Sequence, residues 1–95
     1  MSYQRALVAL ADPTRRALWE RVRQRPCTVG ELAKAARITQ PAVSQHLRVL
    51  RSARLVTRRR EGTRQWYSAS TRGLAELRQW VETMWDDVLT AYGEE

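Results

Sequence analysis

Apolar positions recur at two different periods along this chain, and the change near residue 55 separates a helical part from a strand-like part. Tyr3, Ala6, Leu7 and Leu10 fall at helical spacing and predict a first helix over about residues 2–11, ended by Asp12-Pro13. Asp12 is a good N-cap and Pro13 suits the first helical position, so a second helix is predicted from Pro13 to Gln24 with Leu18 and Val22 inward. Pro26 stops it. Thr28 and Glu31 then have the spacing of a capping box, in which the hydroxyl takes the Glu31 amide while the carboxylate reaches back, and a short helix follows to about Ala36. After a break at Arg37-Ile38-Thr39, Thr39 caps a fourth helix with Gln40 and Pro41 in its first turn. At about 100° per residue, Val43, Leu47 and Leu50 form one stripe of that helix. Pro41, Ser44, Gln45, Arg48 and Ser52 form the opposite, polar face.

Beyond Arg54 the chain alternates: Leu55 to Glu61, then Gly62-Thr63, then Arg64 to Ala69, which predicts a hairpin around a two-residue turn. With Glu61 opposite Arg64, Arg58 faces Tyr67 and Val56 faces Ala69, whereas a shift of one residue exchanges the two faces. Thr71 is expected to cap a long last helix, in which Leu74, Leu77, Val81, Met84 and Val88 recur at steps of three and four. Trp80, Trp85, Leu89 and Tyr92 widen that stripe beyond what one hairpin can cover. The expectation is a single α+β domain over residues 1–95, mostly helical with a β-hairpin. A helix-turn-helix would occupy about 28–53 and a wing about 55–69.

Charge sharpens this picture. Among 95 residues the formal net charge is +7, and residues 37–72 hold nine arginines against Glu61 alone, while residues 73–95 hold six acids against Arg78. A positive field on the helix-turn-helix and wing favours an acidic polymer as partner and disfavours the reading that these arginines merely solvate a small domain. Helix, helix, capped helix, tight turn, polar-faced helix, arginine-rich hairpin, apolar helix is the order of a winged helix-turn-helix. In that fold the second helix of the motif enters the major groove and the hairpin contacts the backbone or minor groove. A domain this small also gains by burying apolar surface in a partner, and the first and last helices, about 2–11 and 71–92, offer it. A homodimer is expected.

Several stretches carry a resemblance to a known family: Ala9 to Arg16 (Ala-Leu-Ala-Asp-Pro-Thr-Arg-Arg), Glu31-Leu32-Ala33, Thr39 to Leu50, Leu55-Val56 and Arg59-Arg60-Glu61-Gly62. The chain resembles the arsenic-repressor (ArsR/SmtB) type of winged helix regulators over nearly its whole length. The resemblance implies a dimer assembled through the first and last helices and a repressor reading a two-fold operator in double-stranded DNA. Base contact would then fall to Gln40, Ser44, Gln45 and Arg48. Backbone and wing contacts would fall to Thr39, Arg15, Arg16, Arg51, Arg59, Arg60 and Arg64, and the dimer interface to Tyr3, Leu7, Leu10, Leu77, Val81, Met84, Trp85, Val88 and Tyr92.

The chain departs from the metal-sensing pattern of that type. The positions after Glu31-Leu32 that carry cysteines in such sensors are Ala33, Lys34 and Ala35, and the last helix has Glu82, Asp86 and Asp87 but no histidine. Soft and borderline metals prefer thiolate or imidazole, so neither a metal site nor a cofactor is expected. An inducer, small-molecule or redox, stays open. Cys27, close to a helix N-terminus that lowers thiol pKa, is either a redox switch or an inert small hydrophobe. His46 is either a boundary residue with one hydrogen bond or a phosphate contact. Trp80, Trp85 and Tyr92 either line a ligand cavity or pack in an interface. The residues hold no constellation for an enzyme. A start without a signal-peptide pattern, and no apolar run long enough for a membrane helix, point to a cytoplasmic protein. Rival functions are an architectural protein that coats DNA without sequence preference and a winged helix that binds protein instead.

Overall fold

The computed structural model describes residues 2–93. Five helices and one hairpin follow in the order α1 (Ser2–Ala11), α2 (Pro13–Gln24), α3 (Val29–Ala36), α4 (Gln40–Ser52), β1 (Val56–Glu61), β2 (Arg64–Ala69) and α5 (Thr71–Tyr92). The helix starts are set by local chemistry. The Arg15 amide donates to Asp12 Oδ2 at 2.8 Å at the start of α2, and the Thr28–Glu31 capping box closes both ways, at 3.2 and 3.0 Å, at the start of α3. The Ala42 amide donates to Thr39 Oγ1 at 3.3 Å at the start of α4. Asp12, with its carboxylate accepting that amide and lying beside the Arg15 guanidinium, titrates below the ordinary carboxylate value.

Between α3 and α4 the chain reverses at Arg37, which takes a left-handed backbone conformation at φ 58° that glycine more often supplies. That single residue keeps the turn tight. The hairpin has the register expected from its turn, with Glu61 opposite Arg64, Arg58 opposite Tyr67 and Val56 opposite Ala69. One start differs from expectation. Ser70, not Thr71, caps α5, its Oγ accepting from the Arg72 amide at 3.3 Å, because the Ser70 amide is tied to the Leu55 carbonyl at 2.9 Å and so stays outside the helix.

The core lies where α2, α3, α4 and the base of the hairpin meet. Leu18, Val22, Leu32, Val43, Leu47, Leu50 and Leu55 are its fully buried side chains. Each large aliphatic side chain there contributes about 1.5–3 kcal/mol relative to exposure. Trp19 joins them and donates from Nε1 to the Leu55 carbonyl at 3.2 Å, which anchors the loop after α4 to α2. Cys27 forms a one-residue bridge with Tyr67, paired both ways at 3.0 and 2.8 Å, so the linker before α3 acts as a third strand position beside β2.

The helix α1 packs along the first half of α5, where Tyr3 stacks on Trp80 with ring centroids 4.7 Å apart. Leu10, Leu74 and Leu77 lean on the core, half-buried. From Val81 to Tyr92 every residue of α5 is exposed, and the molecule is drawn out to 53 Å along its longest axis against 24 and 22 Å across. No helix among the described residues is long and apolar enough to cross a membrane.

Candidate nucleic-acid interface

Burial of Val43, Leu47 and Leu50 fixes the rotation of α4, and that rotation turns Gln40, Ser44, Gln45 and Arg48 outward, all exposed. Eight helical steps separate Gln40 from Arg48, about 12 Å, which is close to the width of the B-DNA major groove. Amide, hydroxyl and guanidinium groups on such a face can donate to and accept from base edges. Thr39 and Arg51 are exposed at the two ends of the same helix. These six residues form one continuous polar and basic surface.

The wing stands beyond the core, so both faces of its outer half are solvated: in β1 only Val56 is buried, and Thr57 through Glu61 are exposed. Pairing places Arg59 and Arg64 on one face with Trp66 and Glu61, and Arg60 on the other face with Arg58 and Gln65. Arg59 pairs with Glu61 at 3.3 Å, and Arg60 Nε donates to the Gly62 carbonyl at 3.3 Å. The expected wing arginines therefore divide between two faces. Arg58 belongs with them although sequence reasoning passed it over: the register put it opposite Tyr67, on the core side, and nothing local showed that the core ends before it.

Arg15 and Arg16 sit differently from the rest. Their guanidinium groups turn back onto the last carbonyls of α1: Arg15 Nε donates to Ala9 at 2.8 Å and Nη2 to Val8 at 3.4 Å, while Arg16 Nη1 donates to Leu10 at 2.7 Å and Ala11 at 3.4 Å. Helix C-termini leave such carbonyls open and carry partial negative charge, which cations satisfy. His46 is half-buried on the flank of α4, and its Nδ1 lies 3.5 Å from Arg15 Nη1, in keeping with the boundary reading.

The apolar positions proposed for a dimer separate into two groups. Tyr3, Leu10 and Leu77 are partly covered by their own chain. Leu7, Val81, Met84, Trp85, Val88 and Tyr92 remain exposed, with Trp85 at 66% and Tyr92 at 72%, and Leu89 joins them. Val8 and Val49, not picked out in sequence, are exposed too and line a groove of about 280 Å³ between α1 and α4. With Trp80 taken up by Tyr3 and Trp85 and Tyr92 on the projecting half of α5, the three aromatics do not converge on one cavity.

Of the two readings of Cys27, its burial favours the inert small hydrophobe. Burial pushes its thiol above the ordinary range, with the Glu31 carboxylate adding to the rise, and Sγ points at the Arg25 carbonyl at 3.3 Å. The nearby start of α3 does not lower it, because desolvation of a thiolate outweighs a short helix dipole here. Among the described residues no three His, Cys, Asp or Glu side chains cluster as metal ligands.

The bacterial regulatory protein, arsR family profile matches residues 12–58, from the cap of α2 into β1. Over 93 residues the chain is 50% identical to the HTH-type transcriptional regulator Rv2034 of Mycobacterium tuberculosis, covering 98% of this chain and 87% of that one. It is 32% identical over 73 residues to the transcriptional repressor SdpR of Bacillus subtilis, 77% and 81% of the respective chains. Among solved structures, the homodimeric winged helix-turn-helix DNA-binding domain Mb0332 of Mycobacterium bovis superimposes with a TM-score of 0.73 at 30% identity, over 99% of this chain and 87% of that one. Fold, profile and these relatives agree: the chain belongs to the ArsR family of winged helix-turn-helix transcriptional regulators.

Proposed function

We propose that the protein is a sequence-specific transcriptional repressor which binds a two-fold operator as a homodimer and acts in the cytoplasm by occupying a promoter. One observation carries the reading: the buried stripe of α4 turns a contiguous row of exposed hydrogen-bonding side chains, Gln40, Ser44, Gln45 and Arg48, outward beside an arginine-rich wing. Those four residues read base edges. Thr39, Arg51, Arg58, Arg59, Arg60 and Arg64 hold the phosphate backbone, and Arg16 joins them through donors that its bonds to α1 leave over. The basic middle of the chain faces the DNA, and the acidic last helix lies away from it.

The dimer rests on the exposed apolar run of α5 from Val81 to Tyr92, and Leu7 of α1 is exposed as well. A projecting helix of this kind gains little from its own chain and much from a second copy related by a two-fold axis. The M. bovis neighbour is homodimeric, which supports a homodimer here. The test is selection of bound duplexes from a random library, followed by titration at several salt concentrations. A symmetric consensus, bound at least a thousandfold more tightly than random duplex, is the expected result. Equal, salt-sensitive binding to all duplexes makes the protein an architectural coat, and no duplex binding makes it a protein-binding module.

A further inference from the structure

We infer that Arg15 is a positioning residue: a strut that transmits the position of α1 to the recognition helix α4 through His46 and so sets the half-site spacing that the protein accepts. The inference rests on the proposed reading of α4 as base-reading and α1 as part of the dimer. Three donor directions of one planar guanidinium are used at once. Nε and Nη2 hold the Ala9 and Val8 carbonyls at the end of α1, and Nη1 faces His46 Nδ1 on α4, 31 residues away in sequence. The backbone of the same residue caps α2 through Asp12. One residue therefore ties together the end of α1, the start of α2 and the flank of α4.

The fork geometry matters, because lysine carries the same charge on a single nitrogen and cannot span carbonyls of one helix and a ring nitrogen of another. A guanidinium can only donate, so as a hydrogen bond the contact at 3.5 Å needs Nδ1 of His46 as its acceptor. His46 follows Gln45 and stands two residues before Arg48, so a rotation of α4 about this anchor moves both base-reading side chains. In a two-fold complex, half-site spacing reports how each recognition helix is held relative to the dimer helices.

The strut predicts a pattern that a phosphate contact does not. Arg15→Lys and His46→Phe should each lose tenfold or more of the discrimination between the selected operator and the same half-sites moved apart by two base pairs. Affinity for random duplex, salt dependence and dimer mass should stay as in the unchanged protein. His46→Gln, whose amide oxygen also accepts, should keep the discrimination. Loss on every duplex with a salt slope lowered by about one in Arg15→Lys would make Arg15 a phosphate contact and end the proposal. So would unchanged discrimination in either variant. Nitrogen NMR of His46 tests the strut without DNA, and so independently of the function proposed above. An Nδ1 without a proton whose nitrogen shift moves in Arg15→Lys supports the strut; an Nδ1 that carries a proton in the unchanged protein, or whose shift does not move in the variant, overturns it.

Discussion

Gly73, in the first turn of α5, lies so close to Ala53 at the end of α4 that a β-carbon on it would sit 2.3 Å from the Ala53 carbonyl oxygen and 3.0 Å from the carbonyl of Arg54. Its amide donates to the Arg54 carbonyl at 2.8 Å. The end of α4 and the start of α5 thus meet backbone to backbone. Trp19 holds the next residue, Leu55, from the other side.

Gly73→Ala is therefore expected to be far worse than an ordinary helix glycine substitution, which would gain about 1 kcal/mol from helix propensity. Here neighbouring backbone has to move. Overpacking against backbone costs about 1–3 kcal/mol or more, and in a domain of this size each kcal/mol lowers Tm by roughly 4–8 °C. Thermal melting followed by circular dichroism should show a fall of about 10 °C or more, and a melting point equal to or above the unchanged protein would show that the contact relaxes freely.

Much of this architecture is legible in the residues because its punctuation is local. Asp12 with the Arg15 amide, Thr28 with Glu31, and Thr39 with the Ala42 amide each form their caps within three residues, and Gly62-Thr63 sets the hairpin register over a similar distance. What stayed hidden depends on parts of the chain far apart. Ser70 displaces Thr71 as a cap through a bond to Leu55, Cys27 is paired by Tyr67, and Gly73 is demanded by Ala53. The charges of Arg15 and Arg16 were plain, but charge alone cannot say that a guanidinium turns back to carbonyls of the preceding helix instead of outward.

Cys27 should behave as a neutral, protected thiol. Its pKa is raised in the fold above the ordinary 9.0, so the folded state binds the proton more tightly than the unfolded chain. That contribution is complete below about pH 9 and is lost as pH rises through the folded value. Melting of the unchanged protein should accordingly decline with alkali above pH 9, and Cys27→Ala should remove that part of the decline. Alkylation by iodoacetamide at pH 7.5 should be slow and limited by opening of the structure; reaction at the rate of a free thiol would restore the redox switch.

Zinc, copper or arsenite at equimolar concentration should leave operator affinity unchanged, because Ala33, Lys34 and Ala35 hold no thiolate and Glu82, Asp86 and Asp87 have no imidazole beside them. Fluorescence anisotropy of a labelled operator measures this directly. A tenfold metal-driven release that persists in Cys27→Ser would mean a ligand set other than those two.

Base reading and phosphate holding should part under mutation. Gln45→Ala removes an exposed amide from the outward face of α4, and operator binding should weaken by about 1–3 kcal/mol with little change on random duplex. Arg60→Ala in the wing should weaken every duplex alike and lower the salt slope by about one. Equal loss on both kinds of DNA for Gln45→Ala would remove it from the base-reading set, and an unchanged salt slope would remove Arg60 from the phosphate set.

The dimer gives the most direct test of how the projecting half of α5 is used. Met84 is 39% and Trp85 66% exposed, on the stretch from Val81 to Tyr92 in which every residue is exposed. An aromatic side chain buries roughly 150–250 Å², and at about 25 cal/mol per Å² covering Trp85 in a partner is worth several kcal/mol across a two-fold pair. A carboxylate placed there would have to be buried against its own copy, which is strongly unfavourable. Trp85→Glu and Met84→Glu should therefore give a folded monomer at micromolar concentration by light scattering, since neither residue belongs to the core. Operator binding should fall sharply in both, because each half-site is then held alone and the advantage of a second, tethered contact disappears. An unchanged protein that scatters as a monomer and still binds its operator tightly would mean that the apolar face of α5 serves a different partner.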